Sequence, residues 1–140
     1  MDEAEEPKAC AGERERSLLS RLSTSMGAMQ KAAFGKGPVS TKSYMFDDML
    51  LIVMREGLTQ AEQTMLEFGR HDLVREFRQQ FENEMTRRIV DMIEELTERK
   101  VLTYQSQVMF DPHVVVEMFV FDNSLETHFA TADAIADEVE

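Results

Sequence analysis

The sequence predicts an α+β fold in which two β-hairpins form a four-stranded, mainly antiparallel sheet packed on helices. Three observations lead there. Two pairs of short apolar segments, Thr41–Phe46 with Met49–Arg55 and Val101–Met109 with Val114–Phe121, are each joined by turn-forming residues. Between the pairs lies Asp72–Thr97, whose apolar residues Val74, Phe77, Phe81, Met85, Ile89, Met92 and Leu96 recur every three or four positions, the stripe of an amphipathic helix. The segments run helix, hairpin, short helix plus long helix, hairpin. Merging the hairpins into one sheet is the simplest way to give them all a shared core.

The first helix is expected from Ser17 to Ala33, with Leu18, Leu22, Met26, Met29 and Ala33 on one side. Gly35-Lys36-Gly37-Pro38 ends it, because two glycines and a proline do not continue a helix. Asp47-Asp48 turns the first hairpin. The run Met49–Met54 does not alternate, so its strand should be central and covered on both faces. Such covering asks for more than one helical layer or for a second subunit.

Gly57 breaks that strand, and Thr59 with Glu62 reads as a capping box opening a short helix that carries Ala61, Met65, Leu66 and Phe68. Gly69 stops it, and Asp72 is the candidate cap of the long helix. Phe110-Asp111-Pro112-His113 closes the second hairpin, and Val114–Phe121 is apolar except at Glu117. A 26-residue helix measures roughly 39 Å, whereas an eight-residue strand spans about 27 Å. That overhang, with the two doubly apolar strands, points to a homodimer.

Composition narrows the function. A chain of 140 residues is one domain, and 43% hydrophobic content supplies a core. Net charge is −12, of which −3 falls on residues 1–16 and −5 on residues 123–140. The expected organisation is therefore a disordered acidic tail over 1–16, a single domain over 17–122, and an acidic tail over 123–140. Leu125, Phe129, Ala132, Ala136 and Val139 outline a weak helix in that last segment. Such acidity argues against nucleic acid, which needs a basic surface, and against adsorption to anionic lipid. Cys10 is the single cysteine, so no intrachain disulfide forms, which fits a reducing compartment. The opening Asp-Glu-Ala-Glu-Glu has no basic or apolar region of a signal peptide. The longest apolar run, Met49–Met54, is far short of the ~20 residues of a membrane span. These readings place the protein in the cytoplasm, peripheral to any membrane it serves, with no direct insertion.

No constellation announces chemistry. Gly35, Lys36 and Gly37 form a candidate anion loop, but the P-loop spacing is absent and a helix stop explains the same residues. Asp47, Asp48, Asp111 and His113 would make a carboxylate–histidine cluster if the two hairpin turns shared one sheet edge, yet all are ordinary turn residues. His71, His113 and His128 lack metal-ligand spacing, and neither a nucleophile elbow nor a dinucleotide fingerprint occurs. The eleven methionines suit core filling. Glu117, inside an apolar strand, needs either solvent or a partner, for which Arg78 is the candidate. No catalytic residue, cofactor or metal is expected.

Several separated motifs then fall in one order: Gly35-Lys36-Gly37-Pro38, Asp47-Asp48, Leu58-Thr59-Gln60-Ala61-Glu62, Gly69, Val74-Arg75-Glu76-Phe77-Arg78-Gln79-Gln80-Phe81, Glu95 to Val101, Ser106, Asp111-Pro112 and Glu117 to Phe121. Over about residues 17–122 the chain resembles the MpsC family. It departs at Glu98, where the family has glycine, and a left-handed backbone there would cost a non-glycine on the order of 1 kcal/mol. The long helix is therefore expected to run a residue or two further. The resemblance implies a non-enzymatic partner protein of a sodium-translocating, membrane-potential-generating system linked to inorganic-carbon uptake, whose membrane-embedded work other subunits perform. Its motif positions Val74, Arg75, Phe77, Arg78 and Phe81 are the candidate interface. A small-anion sensor built on the Gly35–Gly37 loop, and an enzyme built on the carboxylate–histidine cluster, are the alternatives.

Overall fold

The structure, a computed structural model, describes the backbone of residues 2–122 and the side chains of residues 12–122. The elements are α1 (Asp2–Phe34), β1 (Ser40–Phe46), β2 (Met49–Arg55), α2 (Gln60–Glu67), α3 (His71–Glu84), α4 (Thr86–Thr97), β3 (Lys100–Met109) and β4 (Val114–Asp122). The strands form one antiparallel sheet in the order β1-β2-β4-β3, which makes the two most apolar strands its central pair. The α+β fold expected from the sequence is the fold observed.

Most boundaries follow local chemistry. The Thr59 side chain accepts from the Glu62 N–H at 3.2 Å while Glu62 accepts from the Thr59 N–H at 2.8 Å, the reciprocal capping box. Gly69 adopts φ 77°, the left-handed conformation that stops α2 at no steric cost. Glu98 is also left-handed, with φ 57° and ψ 34°. The backbone keeps its conformation although glycine is missing, so α4 ends at Thr97 instead of running on.

Four expectations change. First, α1 begins at Asp2, not near Ser17: Glu, Ala, Lys and Arg are strong helix formers, and the segment is helical without packing partners for the exposed residues 12–16. Second, the segment Asp72–Thr97 is two helices. The Met85 N–H is shared between the Phe81 and Glu82 carbonyls at 3.0 and 3.1 Å, and the Thr86 hydroxyl bonds back to the Glu82 carbonyl. This local tightening separates α3 from α4. Helices of 14 and 12 residues measure roughly 21 and 18 Å, less than the ten-residue β3, so the predicted overhang disappears. Third, Arg70, not Asp72, is the N-cap of α3; Asp72 lies in the first turn and pairs with Arg70 at 3.6 Å. Fourth, the strip Val74, Arg78, Glu82 is the buried side of α3, while Phe77 is 54% exposed. The weak helix expected after Asn123, with His128, lies outside the described residues, as does the Cys10 side chain.

The core joins Leu22 and Met26 of α1, Ile89 and Ile93 of α4, and Leu50, Ile52, Val108, Val115, Phe119 and Phe121 of the sheet. All these strand residues point to one face. The alternate residues of the central strands, Met49, Leu51, Val53, Val114, Val116, Met118 and Val120, are half-buried on the other face, outside the core cluster. That second face carries no helical layer among the described residues.

Candidate functional site

The end of α1, α2 and α3 enclose a groove of about 450 Å³ whose walls include Phe34, Met65, Leu73, Phe77 and Phe81. Three phenyl rings build one wall: Phe34 packs on Phe81 with centroids 4.5 Å apart, and Phe77 meets Phe81 at 5.8 Å and Phe34 edge-on at 6.5 Å. Leu73 and Phe77 remain 41% and 54% exposed at its mouth. The groove is a ready apolar seat, and its position follows from the rotation of α3 that turns Phe77 outward.

Beneath it the Arg78 guanidinium is 2% exposed. Its Nε and Nη2 donate to the two Glu62 oxygens at 2.7 and 2.6 Å, Nη2 also donates to the Gly57 carbonyl at 2.9 Å, and its flat face lies 3.8 Å from the Phe34 ring centre. A Cβ on Gly57 would come within 3.2 Å of the Pro38 backbone, so any side chain there would have to push that segment back by a few tenths of an ångström. Burial pushes the Glu62 carboxyl up, but hydrogen bonds and charge from Arg78, with Thr59, outweigh it and hold the carboxyl below its ordinary value. Arg78 thus locks α3 onto α2 and the strand exit, and those contacts occupy the donors that an anion would need.

A second polar cluster lies between α3 and the sheet. Glu117 accepts a short hydrogen bond from the Tyr104 hydroxyl and another from Ser106 Oγ at 3.3 Å; Glu82 accepts from Gln30 Nε2 at 3.1 Å. The two carboxyls are neighbours at 1% and 0% exposure, and a single proton held between them would relieve their repulsion. Burial raises both, Glu117 well above its ordinary value, and for Glu117 the neighbouring Glu82 charge adds to it. Glu82 Oε1 finds no donor among the described groups, and a proton shared by the pair supplies one. Tyr104 is raised as well, by burial and then by the Glu117 charge. The expected Arg78–Glu117 pair is therefore not formed: both groups are buried, but each has found nearer partners.

The remaining candidates separate. The β1–β2 turn meets the far end of β4, where the Phe121 N–H donates to the Asp48 carbonyl at 2.7 Å; the β3–β4 turn sits at the opposite end, where the Glu56 N–H donates to the His113 carbonyl. Because β2 and β4 are antiparallel neighbours, Asp47 and Asp48 lie a strand length from Asp111 and His113, and the carboxylate–histidine cluster does not assemble. His113 is buried, its Nδ1 accepting from the Gly57 N–H at 3.4 Å, and burial followed by the Arg78 charge lowers it to about 4. His71 pairs with Asp111 at 3.8 Å on the surface. Gly35 adopts φ 82° and its N–H donates to the Lys31 carbonyl, closing α1. Inward of that loop, Lys36 borders a void of about 10 Å³, room for a single water. Of the motif positions on α3, Val74, Phe77 and Phe81 line the groove, Arg78 holds two of its lining residues, Glu62 and Phe34, and Arg75 lies over Phe110 at 5.0 Å. No group of three or more metal-ligating side chains exists among the described residues.

Fold and site together define a small α+β protein with an apolar groove on one side of its sheet and, among the described residues, an uncovered apolar face on the other. The family model described as "Na+-translocating membrane potential-generating system (MpsC)" matches residues 14–123, and the chain belongs to the MpsC family. No curated protein and no solved structure matches it significantly. No helix among the described residues is long and apolar enough to cross a membrane.

Proposed function

We propose that this protein is a non-enzymatic accessory subunit of a Na+-translocating, membrane-potential-generating system that serves inorganic-carbon uptake. It works in the cytoplasm as a homodimer and receives an apolar helix or loop of a membrane-embedded partner in the groove between α1, α2 and α3. One observation carries the docking: Leu73 and Phe77 stay exposed at the mouth of a 450 Å³ groove although Phe34 and Phe81 beside them are packed. Amphipathic segments bind such grooves through a few apolar anchors. Family membership supplies the system.

The test is co-purification of the tagged full chain with the Na+-translocating membrane subunit encoded in the same genome, from detergent-solubilised membranes. The wild type should recover the subunit, and Phe77→Asp should lower recovery about tenfold, the loss of one central anchor. Equal recovery by Phe77→Asp would move the docking elsewhere, and no recovery by the wild type would defeat the accessory reading.

A further inference from the structure

We infer that a second copy of this chain covers the open face of the sheet, so that the dimer forms sheet on sheet and leaves the helical groove free. The inference rests on the homodimer part of the reading above and gives it a surface.

The alternation of each strand defines the face. Read across β1, β2, β4 and β3, the paired registers place Phe46, Met49, Val120 and Thr103 in one row, then Tyr44, Leu51, Met118 and Gln105, then Lys42, Val53, Val116 and Gln107, and finally Ser40, Arg55, Val114 and Met109. Both central strands present apolar side chains in every row but the last, where Arg55 stands beside Val114. The Tyr44 and Phe46 rings on the β1 side stack 6° from parallel and are 41% and 54% exposed. A sheet that needed only water on this side would alternate to polar residues there. It does not.

The dimensions suit a dimer. Seven residues at ~3.3 Å and four strands at ~4.8 Å give a patch of roughly 23 by 19 Å. Its apolar centre is the two inner strands with the Tyr44 and Phe46 rings, and continuous apolar surface of a few hundred Å² marks an interaction site. Two copies face to face cover roughly 900 Å² before side-chain corrugation is added, close to the ~1,000 Å² expected of a specific contact. The periphery is polar, with Thr103, Gln105 and Gln107 along β3 and Lys42 along β1, the usual anatomy of an apolar centre and a wet rim.

Row chemistry chooses the arrangement. A two-fold axis in the plane of the sheets and across the strands keeps strand order, so the amides of β3 meet amides and the aromatic strand meets its own counterpart. Leu51, Val53, Val116 and Met118 surround the axis.

Sedimentation equilibrium of the full chain between roughly 5 and 200 µM tests this, with a dimer of twice the 16.1 kDa chain mass and a Kd on the order of 10 µM expected. Met118→Glu and Met118→Lys should each be monomeric across that range, and an equimolar mixture of the two should restore the dimer, since side chains near the axis meet their own copies. Val116→Thr, which keeps side-chain volume, should weaken association about tenfold and serves if the charged variants fail to fold by circular dichroism. A monomeric wild type would overturn the dimer and this surface together. A wild-type dimer indifferent to Met118 and Val116 substitutions would overturn the surface and leave the dimer standing. Loss of the dimer in Phe77→Asp instead would assign it to the groove.

Discussion

Phe119 and Met118 are chain neighbours on β4 and point to opposite faces of the sheet, and those faces handle burial in opposite ways. The Phe119 side is closed by α1, α3 and α4 and contains three carboxyls, a guanidinium and an imidazole, all among the buried polar groups of the domain. The Met118 side is open and carries almost nothing but apolar carbon at its centre. Charge is tolerated inside this domain where partners from sequence-distant elements are already in place, as Glu62 is for Arg78. Apolar surface on the open side has no such partner within the described chain, and it is the side that calls for another molecule. Proximity in sequence says little about this; the closing layer decides it.

The comparison can be broken most directly by truncating those two neighbours. Phe119→Ala should cost about 3–5 kcal/mol in urea unfolding, because a fully buried ring leaves a cavity. Met118→Ala, measured at low micromolar concentration where the dimer is dilute, should cost less than about 1.5 kcal/mol. Equal costs would mean that the second face is covered within the monomer. Next comes the interior ion pair. Arg78→Met leaves the Glu62 carboxylate buried without its guanidinium and should cost about 3–5 kcal/mol. The double variant Arg78→Met/Glu62→Gln should recover part of that loss, and a single variant of near-wild-type stability would show that the pair holds nothing together.

The carboxyl pair gives a pH signature. Glu82 and Glu117 have folded-state pKa values raised above their ordinary 4.5, so the stability they contribute is full below that value and is lost as pH rises through the folded values. Glu117→Gln keeps a donor for Glu82 Oε1 and removes the repulsion. It should raise Tm by several degrees at pH 8 and by less at pH 5, and an unchanged difference between the two pH values would refute the shared proton. His113 acts at the other limb. Its folded value of about 4 lies below the ordinary 6.5, so its contribution is full above 6.5 and falls away as pH drops toward 4. His113→Gln should flatten the acid side of the stability profile. The smallest effect is local: Thr59→Ala removes the capping box and should cost about 1 kcal/mol by thermal unfolding.

Much of the secondary structure was legible because its causes are local. The turn at Asp47-Asp48 fixed β2 to the residue, and the Thr59–Glu62 box, the left-handed Gly69 and the turn at Phe110–His113 each sit where their chemistry requires. The MpsC pattern was legible in the same way, as an ordered set of such signals. The candidate site was read less well. Phe77 and Phe81 were read both as part of a core stripe and as candidate interface positions, and the stripe reading fails for Phe77, the half-exposed wall of a groove. Glu82 was missed altogether, since a glutamate four residues after Arg78 looks like any solvated helix face. The Arg78–Glu117 pairing failed for the complementary reason: both residues were recognised as unusual, yet Glu62, Tyr104 and Ser106 were closer partners that no spacing rule connects to them.

What the sequence determined by itself, then, is what neighbouring residues decide between them: where the hairpins turn and α2 starts and stops, that the fold is α+β, and that the central strands are apolar on both sides. Tertiary structure alone decided which side of α3 faces inward, that the two hairpin turns lie at opposite ends of the sheet, and that the helices close only one of its faces. Those outcomes depend on contacts between elements tens of residues apart, where a hydrogen bond or a packed ring is won by whichever group the fold brings nearest. The apolar periodicity of Asp72–Thr97 was correct as a pattern; its rotation about the helix axis goes with Glu62, which holds the Arg78 guanidinium that only a folded chain puts within reach.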